Sequence, residues 1–218
     1  TRKQILRVAH EQLGSRYAAH LAGWKYGVGV HKIDYLLDGP VPWADQRVTG
    51  AGTVHVGGRM QEIVAAERAV NRGRMPDRPF VMVTQQSNAD PSRTHDGKQV
   101  LWTYAHVPNG ADLDVRPALE AQIERFAPGF SEVIRDRREW KPSALEAWNP
   151  NLVGGDIGGG TLAGTQQIFR PAPSLHPYRA GRRGLYVCSS STPPGGGVHG
   201  MPGMHAARAV LRDWSRSR

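Results

Sequence analysis

The stretch GLYVCSSSTPPGGGVHGMPGMHAARAVL, Gly184 to Leu211, restricts the fold more than any other part of the chain. An apolar strand pattern, Gly184 to Cys188, gives way to four hydroxyl residues, Ser189 to Thr192. Pro-Pro and three glycines follow, and then an alanine-rich helical run. Three glycines alone read as a flexible linker. Here they stand between a buried-strand pattern and a helix, with about fifteen residues left after Gly203. A strand, a glycine loop and a helix make a unit that holds anions at a helix N-terminus, where free N–H groups and the helix dipole favour negative charge. Glycine lets the backbone approach a flat ligand with no Cβ in the way. The stretch is not a Walker A loop, and it is not a G-x-G-x-x-G after an early strand.

The 218 residues suffice for one large domain or two small ones. Hydrophobic residues at 39% and charged residues at 22% fit a soluble globular protein. No apolar run approaches the ~18 residues that span a bilayer, and no signal-peptide pattern opens the chain. The single cysteine, Cys188, excludes an internal disulfide framework and fits a reducing, cytoplasmic compartment. It is read as buried packing rather than a redox thiol. A net charge of +9 and a pI near 10.2 permit nucleic acid, an anionic cofactor or an acidic membrane surface. The arginines are scattered, and the densest cluster, RDRREW at 135–140, includes two acids. Without a nucleic-acid motif beside it, this is a solvated basic face. No nucleic-acid partner is expected, and peripheral membrane contact is the second expectation. His31, His55, His95 and His106 lack metal-ligand spacing, so no metal site is expected.

Along the chain, residues 2–20 carry a helical apolar pattern. VGVHKIDYLL (28–37) reads as a strand with His31, Ile33, Tyr35 and Leu37 on one face. GTVHVGG, RPFVMVTQQ and KQVLWTYAHVP read as further strands. RMQEIVAAERAVNRG reads as a helix stopped by Gly73. Residues 87–97 read as a loop. Asp114 is the expected cap of a helix carrying Pro117 and running ALEAQIERF. SEVIRD reads as a short helix, ALEAW as a helical turn and NPNLVGGDIGGG as a loop. Trp43, Trp102 and Tyr104 read as core residues, with a place lining a lipid-like substrate as the second reading. Without a strict βαβ repeat, the expected fold class is α+β, a mixed or antiparallel sheet with helices on one face. The expected division is a substrate-binding domain at 1–180 and a returning segment of a flavin-binding domain at 181–218.

The tail closely resembles the C-terminal flavin-contacting segment of the phytoene desaturase-like FAD oxidoreductases. The nearest branch is the phytoene dehydrogenase-related or pyridine nucleotide-disulphide oxidoreductase-like one. The resemblance runs upstream through YGVGVHKIDYLLDGPVPW, AGTVHVGG, RPFVMVTQQSNADPSR, LWTYAHVPNG, EAQIERFAPGF and NPNLVGGDIGGG, roughly residues 22–212. It implies the substrate domain and returning segment of such an enzyme, with FAD as cofactor. It also implies an apolar, polyene or lipid-like substrate. The dinucleotide-binding half that the family carries N-terminally has no counterpart here and would be supplied in cis or in trans. By this resemblance Ser190, Ser191 and Thr192 sit near the ribityl and diphosphate part of FAD. Gly195, Gly196, Gly197, Val198 and His199 pass along the ring, and the next helix aims its amides at the N1/O2 edge.

No catalytic residue is assigned. His199 has two readings, a proton-transfer group or an ordinary helix-start histidine. Asp156 in GGDIGG also has two, facing the ligand or capping a turn. The rival to the oxidoreductase reading is a non-catalytic substrate-binding or interaction module that does not hold FAD by itself.

Overall fold

In a computed structural model the run Gly29–Leu37 forms a nine-residue strand, β1. Before it come helices α1 (Arg2–Val8) and α2 (Ser15–Ala22). After it come β2 (Thr53–Val56), α3 (Met60–Asn71), β3 (Val81–Thr84), the short α4 (Gln86–Ala89) and β4 (Gln99–Val107). Then follow α5 (Arg116–Glu124), α6 (Phe130–Val133), β5 (Ile134–Trp140), α7 (Pro142–Trp148) and α8 (Met201–Ser215). The structure describes residues 1–94, 96–181 and 184–216. His95, one of the histidines read for metal spacing, lies outside them.

The five strands form one antiparallel sheet in the order β2-β3-β4-β1-β5. The expected α+β class is the one observed, and the strands expected at 28–37, 80–85 and 99–107 share that sheet. Register explains the alternation. Ile33 stands opposite Thr103, and Ala105 stands between His31 and Val81. One face therefore collects Ile33, Tyr35, Leu37, Val81, Val83, Leu101, Ala105 and Val107, all buried. α5 and α6 cover this face with Leu119, Ile123 and Phe130. Leu119 and Ile123 are four residues apart and so share one side of the helix. Each such side chain contributes roughly 1.5–3 kcal/mol on burial. α3 lies against β4, where both carboxylate oxygens of Glu67 reach His106 Nδ1, the nearer at 2.9 Å.

Three readings need correction. Asp114 is not the cap of α5. Val115 holds that position without a side-chain bond, and Pro117 lies in the first turn. Residues 134–136 of SEVIRD are not helical, because α6 stops at Val133 and Ile134 enters β5. β5 pairs with β1 on one side only, and RDRREW is this edge strand; its charges suit an edge that must not recruit another strand. Trp43 is core and donates from Nε1 to Gln85 Oε1 at 2.9 Å. Trp102 and Tyr104 are not core. They sit half-buried on the second face of the sheet, stacked at 6.1 Å, with Lys32 beside Trp102.

His31 is fully buried on the core face, with Nε2 at 3.1 Å from Glu139 Oε2. Arg116 Nε holds the other oxygen of Glu139 at 3.0 Å. Burial pushes the imidazole below its usual 6.5, while Glu139 and Asp114 pull the other way and Lys141 adds to the depression. The unfolded chain therefore takes up this proton before the folded one does. Stability is full above about pH 6.5 and declines as the pH falls from there through the folded-state value. His31→Leu is expected to flatten that part of the stability-against-pH curve, read by urea denaturation. An unchanged slope would show that His31 does not titrate in this window.

The chain divides into two compact units, Val28–Leu145 and a second one made of Thr1–Gly27 with Glu146–Arg218. The first contains the whole sheet. In the second, Leu13 and Leu21 pack with Ala180 and Val187.

Candidate functional site

In the second unit the glycine-rich segment at 154–160 is organised around Asp156. Its carboxylate is buried and accepts from Gly158 N at 2.7 Å, Gly159 N at 3.0 Å and, across the chain, Gly27 N at 2.6 Å. This is the turn-capping reading of Asp156. The bonds fix residues 156–160 and bring Trp24 to Gly27 alongside, where Thr161 N donates to Lys25 O at 3.1 Å.

Ser189 to Gly200 packs on that platform. Ser191 Oγ donates to Gly159 O at 2.6 Å, and Thr192 Oγ1 donates to Ser189 O at 2.7 Å. Ser191 and Thr192 are both buried. Their hydroxyl hydrogens are spent inside the turn, so these two residues shape the backbone. Beyond Gly195 the chain emerges. Gly196, Gly197, Val198 and His199 are exposed, and Val198 is entirely bare. No described residue accepts from the amides of these four. His199 Nδ1 accepts from Met201 N at 3.1 Å, which is the helix-start reading of that histidine. Gly195, Gly197 and Gly200 have φ of 109°, 148° and 62°. They also fall at the spacing G-x-G-x-x-G ahead of α8, a signal the sequence reading passed over. Among the described residues no strand stands directly ahead of it, as such a fingerprint requires. GLYVC, expected as a buried strand, is reduced to a bridge between Tyr186 and Arg179. Among the described residues Leu185 and Val187 pack on one side of this segment, while on the other Tyr186 is half-buried and Cys188 is exposed, not buried. α8 is anchored instead by Asp213, which accepts from Arg179 Nε and from Tyr186 OH, both at 2.7 Å.

Beneath the loop lies a group of residues that the sequence reading did not single out. Arg2 and Arg170 are both buried. Arg2 Nη2 donates to Ser191 O at 3.5 Å, and Arg170 Nη2 donates to Ser190 O at 3.2 Å and Gly160 O at 3.5 Å. The two guanidinium carbons stand 3.2 Å and 5.3 Å from the centroid of the Trp24 ring. An arginine at the start of an amphipathic helix and another before a proline look like surface residues in sequence. Only the fold shows them buried together. Among the described residues no three His, Cys, Asp or Glu side chains gather to hold a metal ion. No helix among them is long and apolar enough to cross a membrane.

No family model matches the chain. Over 92 residues it is 42% identical to a protein from Rattus norvegicus named pyridine nucleotide-disulfide oxidoreductase domain-containing protein 2, and to its namesake from Mus musculus. The match takes in 42% of this chain and 16% of each relative. The name of these relatives supports the pyridine nucleotide-disulphide branch of the resemblance. Neither relative is named for phytoene.

Proposed function

We propose that this chain forms the C-terminal part of an FAD-dependent oxidoreductase, with residues 1–180 serving the substrate and the tail from 181 belonging to the flavin site. The observation that carries the reading is the exposed loop at 196–199, which follows a turn tied by Ser191 to the segment that Asp156 holds and precedes the N-terminus of α8. The residues fit a flat anionic ring. Positive-φ glycines keep side chains off the surface, and the loop amides have no protein acceptor. The helix start adds positive potential where a reduced flavin carries negative charge. Bound flavin would supply the electron-accepting chemistry. The chain's own part is to present amides, exclude branched side chains and hold the turn through Ser191 and Thr192. Trp102 and Tyr104 offer an aromatic row suited to an apolar, polyene or lipid-like substrate. The dinucleotide-binding half, in cis or in trans, would hold the AMP portion.

The isolated chain is therefore expected to purify nearly colourless and to bind added FAD weakly but saturably, measured by quenching of flavin fluorescence. Stoichiometric flavin on purification would show that this segment alone holds the cofactor. No saturable binding would remove the flavin reading from this chain and leave the interaction module.

A further inference from the structure

Four guanidinium nitrogens, Nε and Nη1 of Arg2 and Nε and Nη1 of Arg170, are buried with no hydrogen-bond partner among the described residues. Trp24 Nε1 and Tyr17 OH are in the same condition. Buried donors of this kind are rare in native folds, because each forfeits its bonds to water. The two arginines also repel each other, and neither makes an ion pair among the described residues. Asp156 acts on Arg170 from a distance, but its oxygens are already committed to three backbone amides. Burial, together with the charge of Arg170, pushes Arg2 down to about 9. Two like charges with idle donors, gathered on an aromatic ring, make a poor structural core and a good receptor for an anion. There is room beside Arg2 and Trp24. Arg2, Trp24, His20 and Gln166 line a cavity of about 350 Å³, and Pro171, which follows Arg170, lines it too. That is roughly ten times the liquid volume of one water.

We propose that Arg2, Arg170 and Trp24 form a binding site for a phosphate-type oxyanion, the phosphate or diphosphate group of a small ligand. The site needs no flavin. Phosphate and the diphosphate of a dinucleotide carry the same kind of acceptor oxygens for such donors.

The test is calorimetric titration and thermal melting of this chain with sodium phosphate, sodium pyrophosphate, FAD and riboflavin, against sodium chloride at matched ionic strength. Phosphate and pyrophosphate are expected to bind saturably and raise the melting temperature. Arg2→Gln and Arg170→Gln are each expected to weaken pyrophosphate by about tenfold or more. Trp24→Phe keeps an aromatic ring under Arg2 and removes the pyrrole part of the indole with its N–H. It is expected to weaken binding a few-fold at a smaller cost in ligand-free melting temperature than an arginine variant, and it carries the test if an arginine variant does not fold. Response to phosphate and pyrophosphate but not to FAD assigns a free phosphate group. Response to FAD exceeding that to pyrophosphate, and absent with riboflavin, assigns the diphosphate of a dinucleotide. No saturable response to phosphate, pyrophosphate or FAD, or equal affinity in wild type and Trp24→Phe, overturns the proposal.

Discussion

Gly160→Val is expected to cost the unit of residues 1–27 and 146–218 about 3 kcal/mol or more, enough to unfold a marginal unit. Gly160 has φ 127°, where a branched residue is strained before any contact is counted. A Cβ there would also stand 2.2 Å from Trp24 Cζ2 and 2.4 Å from its Nε1. A flexible side chain could swing away, but this ring cannot. Arg2 is stacked on it at 3.2 Å and is itself buried. Backbone and ring would both have to move, and with them the carbonyl of Gly160 that Arg170 holds. Guanidinium denaturation followed by circular dichroism measures the loss. Gly203→Ala is the control. It lies in α8 with nothing within 4 Å of a built Cβ, and it is expected to be neutral or to stabilise by about 0.5–1 kcal/mol. Equal midpoints for wild type and Gly160→Val would mean that Trp24 is not held against the glycine segment.

Gly197→Val is expected to lower the midpoint less than Gly160→Val does and to weaken FAD by about tenfold or more. The residue is exposed, so little packing is at stake. Its φ of 148° falls where valine is strained, and its Cβ would meet His199 Cδ2 at 2.7 Å. Moving that imidazole removes the acceptor of Met201 N and disturbs the start of α8. Gly196 differs. Its backbone is ordinary and its Cβ would lie 3.6 Å from Gly158 O, so Gly196→Val leaves the loop path intact and adds only bulk. Fluorescence titration of both variants with FAD separates path from bulk. Wild-type affinity in Gly197→Val would mean that this loop is not the flavin surface.

The sheet was legible in the sequence because burial there is local and periodic. Residues 29–37 and 99–107 alternate in sequence as they alternate across the faces, so Ile33, Tyr35 and Leu37 announced their side before any partner was known. α3 and α5 were equally plain. β5 was not, because an edge strand covered by charge has little hydrophobic alternation to read, and only pairing with β1 makes it a strand. GLYVC failed in the opposite direction. It has the pattern of a buried strand, but a strand exists only where a neighbour accepts its ladder, and here the neighbour contributes one bridge. The glycine loop could be located from composition, and glycine's tolerance of positive φ accounts for Gly195 and Gly197. The cluster beneath it could not. Arg2 and Arg170 are 168 positions apart in sequence, and nothing near either of them signals burial. Composition and periodicity determine which segments fold into helices and strands. Which charges are taken out of water together depends on contacts between distant segments, and the tertiary structure alone decides them.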